Sequence, residues 1–160
     1  MKFSLRKRLR RFFSCLPKMV FLQKNRVSHV FCHRKSKRCV PLLRGKFGED
    51  VACEFLKRSG YKIIRRNGRV EDREIDIIAV EKCSSVIVFV EVKLRNSDSY
   101  IPGYFAVSKR KRAILRTSCL EFLKKFCEEQ VPYRFDVIDI SYDEVTKTKN
   151  IHHYENVPLF

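Results

Sequence analysis

The sequence lacks three features that would mark a membrane or secreted protein. It contains no run of 18 or more apolar residues, so we predict no membrane-spanning helix. Its seven cysteines form no CxxC pair and follow no regular spacing, which favours a reducing compartment over a disulfide framework. Pro17 and Lys18 interrupt the mildly apolar N-terminal patch, and no small-residue cleavage site follows, so it is a poor signal peptide. We therefore expect a cytoplasmic protein.

Acidic residues are missing from the first 48 positions, which hold 15 of the 35 Lys and Arg residues. The remaining positions hold the other 20 basic residues (35 − 15) and all 18 acidic ones, a net charge of +2. Most of the formal charge of +17 therefore belongs to the N-terminal segment. We predict a basic, flexible leader over residues 1–44 and a folded domain over residues 45–160. An organelle transit peptide is an alternative interpretation of the leader.

The large positive charge indicates the class of partner. A field of this sign and size attracts polyanions, so nucleic acid, and DNA first, is the expected partner. The sequence leaves the oligomeric state open, and a homodimer is compatible with it.

Hydrophobic periodicity predicts an α/β fold with the order αβββαβ, a mixed sheet flanked by helices, and a short last strand. The first helix is predicted from Gly45 to its end at Gly60, and its apolar arc leaves Glu49 just beyond the edge. A strand follows, with a turn expected at Asn67–Gly68. Ser108 is the expected cap of a second helix that runs to about Glu128. The other strands are predicted in these segments: "REIDIIAVE", "VIVFVEVKLR", "YRFDVIDISY" and "IHHYENV".

Charges interrupt two of these apolar strands. Period two places Asp76 on one face with Ile78, and Glu91 on one face with Lys93. Burying a carboxylate or an ammonium costs several kcal/mol unless something pairs with it. Hard cations such as Mg²⁺ bind carboxylate oxygens, so Asp76 and Glu91 at the ends of neighbouring strands are predicted metal ligands. Lys93 can then orient a water or stabilise charge on a phosphate.

Glu49, at the edge of the first helix, can supply a third carboxylate or serve a second metal. The competing interpretation of the pair is a structural ion pair between Glu91 and Lys93, with Asp76 capping a turn. The combination of all four residues favours the metal site over the ion pair.

Several further charged residues have two interpretations each. Glu74 shares a face with Asp76, so it either reaches the site or pairs with Arg73 or a nearby lysine. Arg95 is expected either to contact a phosphate or to be solvated. The basic cluster 109–112 lies at a helix start, which is unfavourable for the helix dipole unless phosphates lie nearby, and a solvated face is the alternative. At most one of the alternating pair 152–153 is expected to face the core.

The successive blocks "GKFGEDVACEFLKRSGYKIIRRNGR", "REIDII", "VFVEVKLR", "VSKRKR" and "RFDVIDI" resemble those of the YraN-like family, in order, over about residues 44–160. The resemblance implies a restriction-endonuclease-like fold and a comparison with Holliday-junction resolvases. Carried over by motif, the active-site positions are Glu49, Asp76, Glu91 and Lys93. The chain departs from the family pattern at Arg73, where the family usually has glycine, which changes the turn entering the strand.

We therefore expect a metal-dependent endonuclease that hydrolyses DNA phosphodiesters, with or without selectivity for branched structures. Asp76, Glu91 and Glu49 would hold Mg²⁺ or Mn²⁺, and Lys93 would position the attacking water. The main alternative is a non-catalytic nucleic-acid-binding protein that uses the same fold and the basic tail. A third class is an assembly partner in which the acids only stabilise the sheet.

Overall fold

A computed structural model describes residues 39–70, 73–96, 107–127, 131–143 and 145–159. Its elements, in chain order, are α1 (Cys39–Arg58), β1 (Tyr61–Val70), β2 (Arg73–Glu81), β3 (Ile87–Asn96), α2 (Lys109–Phe126), β4 (Tyr133–Tyr142) and β5 (Lys149–Tyr154). This order is the predicted one, the short last strand included. Most of the predicted leader, residues 1–38, lies outside the described residues.

The five strands form one mixed sheet in the order β1-β2-β3-β4-β5. Strands β3 and β4 pair in parallel, while the other neighbours pair antiparallel. A parallel pair needs a crossover connection, and α2 lies in the chain between the two parallel strands. The predicted α/β class is confirmed, and the arrangement is consistent with a restriction-endonuclease-like core.

Each face of the sheet buries a separate apolar cluster. On the α2 side, Ile78 and Phe89 pack with Leu115 and Phe122 of the helix. The other cluster lies on the α1 side; its members include Ala52, Leu56, Ile77, Ala79, Val88 and Val90. The predicted alternation of β3, and of β2 from residue 77 onward, is thus confirmed. Ile75 is the exception, because it packs in the α2-side cluster with Ile78.

The helices begin and end close to their predicted limits, with one difference. Helix α1 begins at Cys39, so residues 39–44 of the predicted leader are helical. Gly45 therefore lies inside the helix and does not begin it. An interior glycine costs a helix only about 1 kcal/mol, which a helix of this length can tolerate. Gly60 follows the helix with a φ of +89°, the left-handed conformation expected of a glycine at this position.

The predicted turn at Asn67–Gly68 is wrong, because β1 continues through it to Val70, which pairs with Arg73. Asn67 has a φ of +47° within the strand, a conformation that asparagine tolerates better than most residues. At Gly68 a Cβ atom would lie 3.1 Å from Ile78 Cδ1. The Asn-Gly pair therefore marks an irregular, closely packed point in a continuous strand.

The helices and the cysteines of the described residues bear on the predicted cellular location. No helix among residues 39–58 and 109–126 is long and apolar enough to cross a bilayer. Cys53, Cys83 and Cys119 are free thiols, and two of them, Cys53 and Cys119, are buried. Location in a reducing compartment such as the cytoplasm stays a prediction.

Candidate functional site

The predicted acids meet where two neighbouring strands separate. The ladder between β2 and β3 ends at the pair Ile77–Val90, so Asp76 and Glu91 are the next residue on each strand. Beyond that pair, Asp76 Oδ2 accepts a hydrogen bond from the backbone N–H of Val92 at 2.7 Å. The carboxylate of Asp76 thus occupies the gap between the strands, beside the base of Glu91.

Glu91 is buried at this point, with an exposed fraction of only 3%. Its Oε1 accepts a hydrogen bond from Lys93 Nζ at 2.8 Å and lies 3.5 Å from Lys111 Nζ. Its Oε2 is also buried, yet it accepts no hydrogen bond from any residue that the structure describes. A buried carboxylate oxygen without a donor costs about 1–3 kcal/mol, so this atom is poised to accept a ligand.

The electrostatics of Asp76 show how crowded the acids are. Burial, together with the negative charges of Glu91 and Glu49, raises the pKa of Asp76 to about 7. The hydrogen bond from Val92 and the charge of Lys111 oppose this increase. Negative charges that raise the pKa of Asp76 must lie close to it, and a divalent cation would relieve their repulsion.

Glu49 reaches the site from α1. Its position just beyond the apolar arc of the helix is the one that the sequence predicted. Its Oε2 accepts a hydrogen bond from Asn67 Nδ2 at 2.9 Å and lies 3.6 Å from the Arg66 guanidinium. Burial raises the pKa of Glu49, against these two favourable contacts. The register that pairs Arg66 with Ile77 and Gly68 with Ile75 sets Asn67 opposite Asp76. Asn67 therefore connects the acid on α1 with the acid on β2.

The donor set suits a hard cation that keeps part of its own shell. Within the described ranges, no three His, Cys, Asp or Glu side chains stand close enough to enclose a metal ion. Mg²⁺ is commonly held by one or two carboxylates, with waters and substrate phosphates filling the other positions. Asp76 and Glu91, with the donor-free Oε2, fit that pattern. Glu49 lies at the edge and is not in the same tight group.

Two neighbouring charged residues have different roles from those expected. Arg95 is neither solvated nor free for a phosphate, because its Nε donates to Asp139 Oδ1 at 2.8 Å and its Nη2 contacts Oδ2. Asp139 is buried on β4, and the parallel register places it beside Lys93. Arg73 pairs with Glu121 of α2 at 3.3 Å rather than with Glu74. Glu74 is exposed, and its charge raises the pKa of Glu49.

A second buried carboxylate lies on the opposite face of the sheet. Asp136 of β4 is fully buried and accepts hydrogen bonds from Arg134 Nε at 3.1 Å and from the backbone N–H of Asn156 at 2.9 Å. Its Oδ2 lies 2.9 Å from His153 Nε2, while His152 is exposed. One histidine of the pair therefore faces inward, as expected. It belongs to a structural cluster on the other face of the sheet from Glu91, although Asp136 pairs with Val90, the residue before Glu91.

Two residues of the site are not apparent from the sequence. Lys111 belongs to a basic cluster, and only its position three residues after the capping Ser108 marks it as part of the first turn of the helix. Asn67 is followed by Gly68, a pair that is typical of a turn. Neither residue could be placed near an acid without knowing which strands and helices are neighbours.

Comparison with known proteins gives the family context. The model of a family described as "Uncharacterised protein family UPF0102" matches residues 48–140. A UPF0102 protein of Chloroherpeton thalassium is 42% identical over 100 residues, which cover 62% of this chain and 76% of that protein. A UPF0102 protein of Clostridium botulinum is 38% identical over 113 residues, covering 70% of this chain and 90% of that protein. All four predicted site residues fall within the matched ranges of the family model.

Among solved structures, this chain is similar to Pyrococcus furiosus SfsA in complex with Ca²⁺, at 17% sequence identity. The match covers 72% of this chain and 63% of the SfsA chain. Its TM-score is 0.31. A similarity this weak supports no statement about the present site.

Proposed function

The chain belongs to the uncharacterised protein family UPF0102, the YraN family of predicted endonucleases, and from that premise we propose that it is a metal-dependent endonuclease acting on DNA phosphodiesters. The observation that carries the proposal is the meeting of Asp76 and Glu91 where β2 and β3 separate, with Lys93 2.8 Å from Glu91. Buried acids with a donor-free oxygen and an adjacent ammonium suit phosphoryl chemistry better than sheet stability alone.

In this proposal Asp76 and Glu91 hold Mg²⁺ or Mn²⁺, and Glu49 supports the site from α1. Such a cation, when bound, would neutralise phosphate charge and lower the pKa of a water. Lys93 donates a hydrogen bond to the attacking water and holds it against the phosphorus, while its positive charge stabilises the charge that develops on the phosphate oxygens. Asn67 fixes the orientation of the Glu49 carboxylate through its hydrogen bond.

A second candidate is a non-catalytic nucleic-acid-binding protein. Two observations favour it: the acid-free basic segment before residue 49, and the two lysines that already contact Glu91. In that case the ion pairs hold the strand ends together, and the positive charge outside the sheet supplies affinity for phosphates. The four-residue constellation favours the enzyme, so we place binding second.

The deciding experiment is a cleavage assay on linear, flapped and four-way DNA, with Mg²⁺ or Mn²⁺ and with EDTA. The nuclease proposal expects metal-dependent cleavage by the wild type and none by Asp76→Asn or Lys93→Ala. DNA affinity measured without metal should be retained in Asp76→Asn, because one repulsive carboxylate is removed. Absence of cleavage by the wild type on all three substrates, with binding intact, would favour the second candidate.

A further inference from the structure

One basic residue of the first turn of α2 is turned toward the site. Ser108 caps the helix by accepting a hydrogen bond from the backbone N–H of Lys111 at 3.2 Å, which fixes the turn. The side chain of Lys111 places its Nζ 3.5 Å from Glu91 Oε1 and is 39% exposed. Lys109 and Arg110, in the same turn, are exposed. Lys111 is therefore both at the site and open to solvent.

The helix does not need Lys111 to hold its position. The buried side chains Leu115, Cys119 and Phe122 anchor α2 on the sheet. Arg112 adds hydrogen bonds to the carbonyl oxygens of Val107 and Pro158, each at 3.1 Å. These contacts fix both the axis and the first turn of the helix, so the role of Lys111 has to be found at its ammonium.

The ammonium of Lys111 is a second positive charge beside a Glu91 oxygen that already has a donor. Lys93 already donates to Oε1 at 2.8 Å, and Lys111 approaches the same oxygen at a longer distance. The other oxygen, Oε2, has no donor among the described residues. Two ammonium groups therefore approach Oε1, while Oε2, on the same carboxylate, accepts no hydrogen bond from the described residues. One ammonium group and one carboxylate oxygen are thus available to a ligand. A divalent cation on the carboxylates together with a phosphate near the lysines would use both.

We propose that Lys111 is a second phosphate-binding residue of this site, an inference that rests on the proposed function. Without a divalent cation, Lys111 helps to hold the Glu91 side chain. When a cation shares the charge of Glu91, the attraction between Glu91 and Lys111 falls. The ammonium then contacts a non-bridging oxygen of a DNA phosphate, on the α2 side of the site, while Lys93 remains beside the attacking water. No covalent bond to Lys111 forms or breaks.

This exchange predicts a coupling between metal and DNA that passes through Lys111. Lys111→Met keeps the length and apolar stem of the side chain and removes its charge. Lys109→Met removes one charge from the same turn at an exposed position and is the matched control. Because the buried face of α2 is untouched, both variants should melt close to the wild type, which is checked by circular dichroism.

The first measurement is calorimetric titration of the full-length protein with Mn²⁺ in the absence of DNA. Lys111→Met should bind Mn²⁺ several-fold more tightly than the wild type, because one competing positive charge near Glu91 is gone. Lys109→Met should match the wild type. Equal affinities in the two variants would overturn the proposal.

The second measurement is the affinity for a fluorescein-labelled four-way DNA, by anisotropy, in EDTA and in Mn²⁺, with intact DNA verified on a gel. In the wild type Mn²⁺ should increase affinity, and Lys111→Met should reduce that increase by about tenfold. Lys109→Met should weaken binding to the same extent in both buffers. Lys111→Arg, which keeps the charge, should restore most of the increase.

The outcomes separate this proposal from the proposed enzyme. If the wild type binds Mn²⁺ and DNA but cuts nothing, the titrations above still decide the role of Lys111. If it cuts DNA and Lys111→Met behaves like Lys109→Met in both titrations, the nuclease stands and the role of Lys111 is wrong. If the wild type binds no Mn²⁺, both are overturned.

Discussion

Two buried carboxylates on neighbouring strands, Glu91 on β3 and Asp136 on β4, have opposite surroundings. Asp136 faces α1 and accepts from Arg134, His153 and the backbone N–H of Asn156, so both of its oxygens have donors. Glu91 faces α2 and has two lysines on one oxygen and no donor from the described residues on the other. Both are almost completely buried, at 0% and 3% exposed.

The difference indicates what each carboxylate is for. A buried charge with every oxygen paired serves the fold, since removing a partner strands the rest. A buried charge with one oxygen unused, next to a second acid of raised pKa, weakens the fold unless a ligand arrives. Glu91 and Asp76 thus form the open cluster, while Asp136 and its partners form the closed cluster.

The largest expected effect is on the closed cluster. Asp136→Ala leaves Arg134 and His153 without their shared partner, and we expect the free energy of unfolding to fall by about 3–5 kcal/mol. Glu91→Gln, in the open cluster, should cost less than about 1 kcal/mol, because the lysines it leaves are partly exposed. Urea unfolding at pH 7 measures both. Equal losses would remove the contrast.

The next effect concerns pH. The pKa of Asp76 in the folded, metal-free protein is about 7, above its ordinary value of about 3.9 in an unfolded chain. Ionising Asp76 therefore costs nothing below about pH 4, and the cost grows between the two values and is complete above about pH 7. Asp76→Asn should thus stabilise the metal-free protein at pH 8 by up to about 4 kcal/mol and have little effect at pH 4.

This pH effect is measured by urea unfolding of both proteins between pH 4 and pH 8, with EDTA present. His153→Gln in the closed cluster is the comparison variant. It should be less stable than the wild type near neutral pH, because it disturbs the contact between His153 and Asp136. A destabilised Asp76→Asn at pH 8 would show that Asp76 is as fully paired as Asp136.

A smaller effect is expected at Asn67, which holds Glu49 from an unusual backbone conformation. Asn67→Ala loses the hydrogen bond to Glu49 and keeps a φ of +47° that alanine disfavours, so we expect a loss of about 1–2 kcal/mol. Asn67→Gly relieves the backbone and should melt near the wild type. If Asn67 positions Glu49, both variants should lose cleavage alike; cleavage that follows stability instead would make its role structural.

The smallest expected effect on stability is removal of residues 1–38. The segment is free of acidic residues and its periodicity is weak, so we predict little packing against the domain. Its deletion should leave the thermal midpoint nearly unchanged while it weakens DNA binding and flattens the dependence on salt, because many positive charges are lost. A large loss of stability would show that the leader belongs to the fold.

Much of this architecture could be predicted because local patterns determine it. Alternating apolar residues located β2 and β3, and the same period placed Glu91 on one face with Phe89, which packs on the α2 side of the sheet. The helical angle of Glu49 located it at the border of α1. These are properties of single elements, which a sequence displays directly.

What could not be predicted depends on contacts between elements. The Asn-Gly pair has the composition of a turn, but the strand continues because Gly68 and Val70 pair with Ile75 and Arg73 of β2. Arg95 and Asp139 are 44 residues apart, and their pairing follows from the parallel register of β3 and β4. Lys111 reaches Glu91 because α2 returns across the sheet, which no local pattern specifies.

The most direct test of the account is the stability that Mn²⁺ confers. A ligand that binds only the folded state at 100 times its dissociation constant adds about 2.7 kcal/mol to the free energy of unfolding. We predict a gain of this kind for the wild type and for Lys109→Met, and none for Asp76→Asn, in urea unfolding at pH 8 with and without Mn²⁺. No gain in the wild type at millimolar Mn²⁺, or an undiminished gain in Asp76→Asn, would contradict the claim that Asp76 and Glu91 form an open site for a divalent cation.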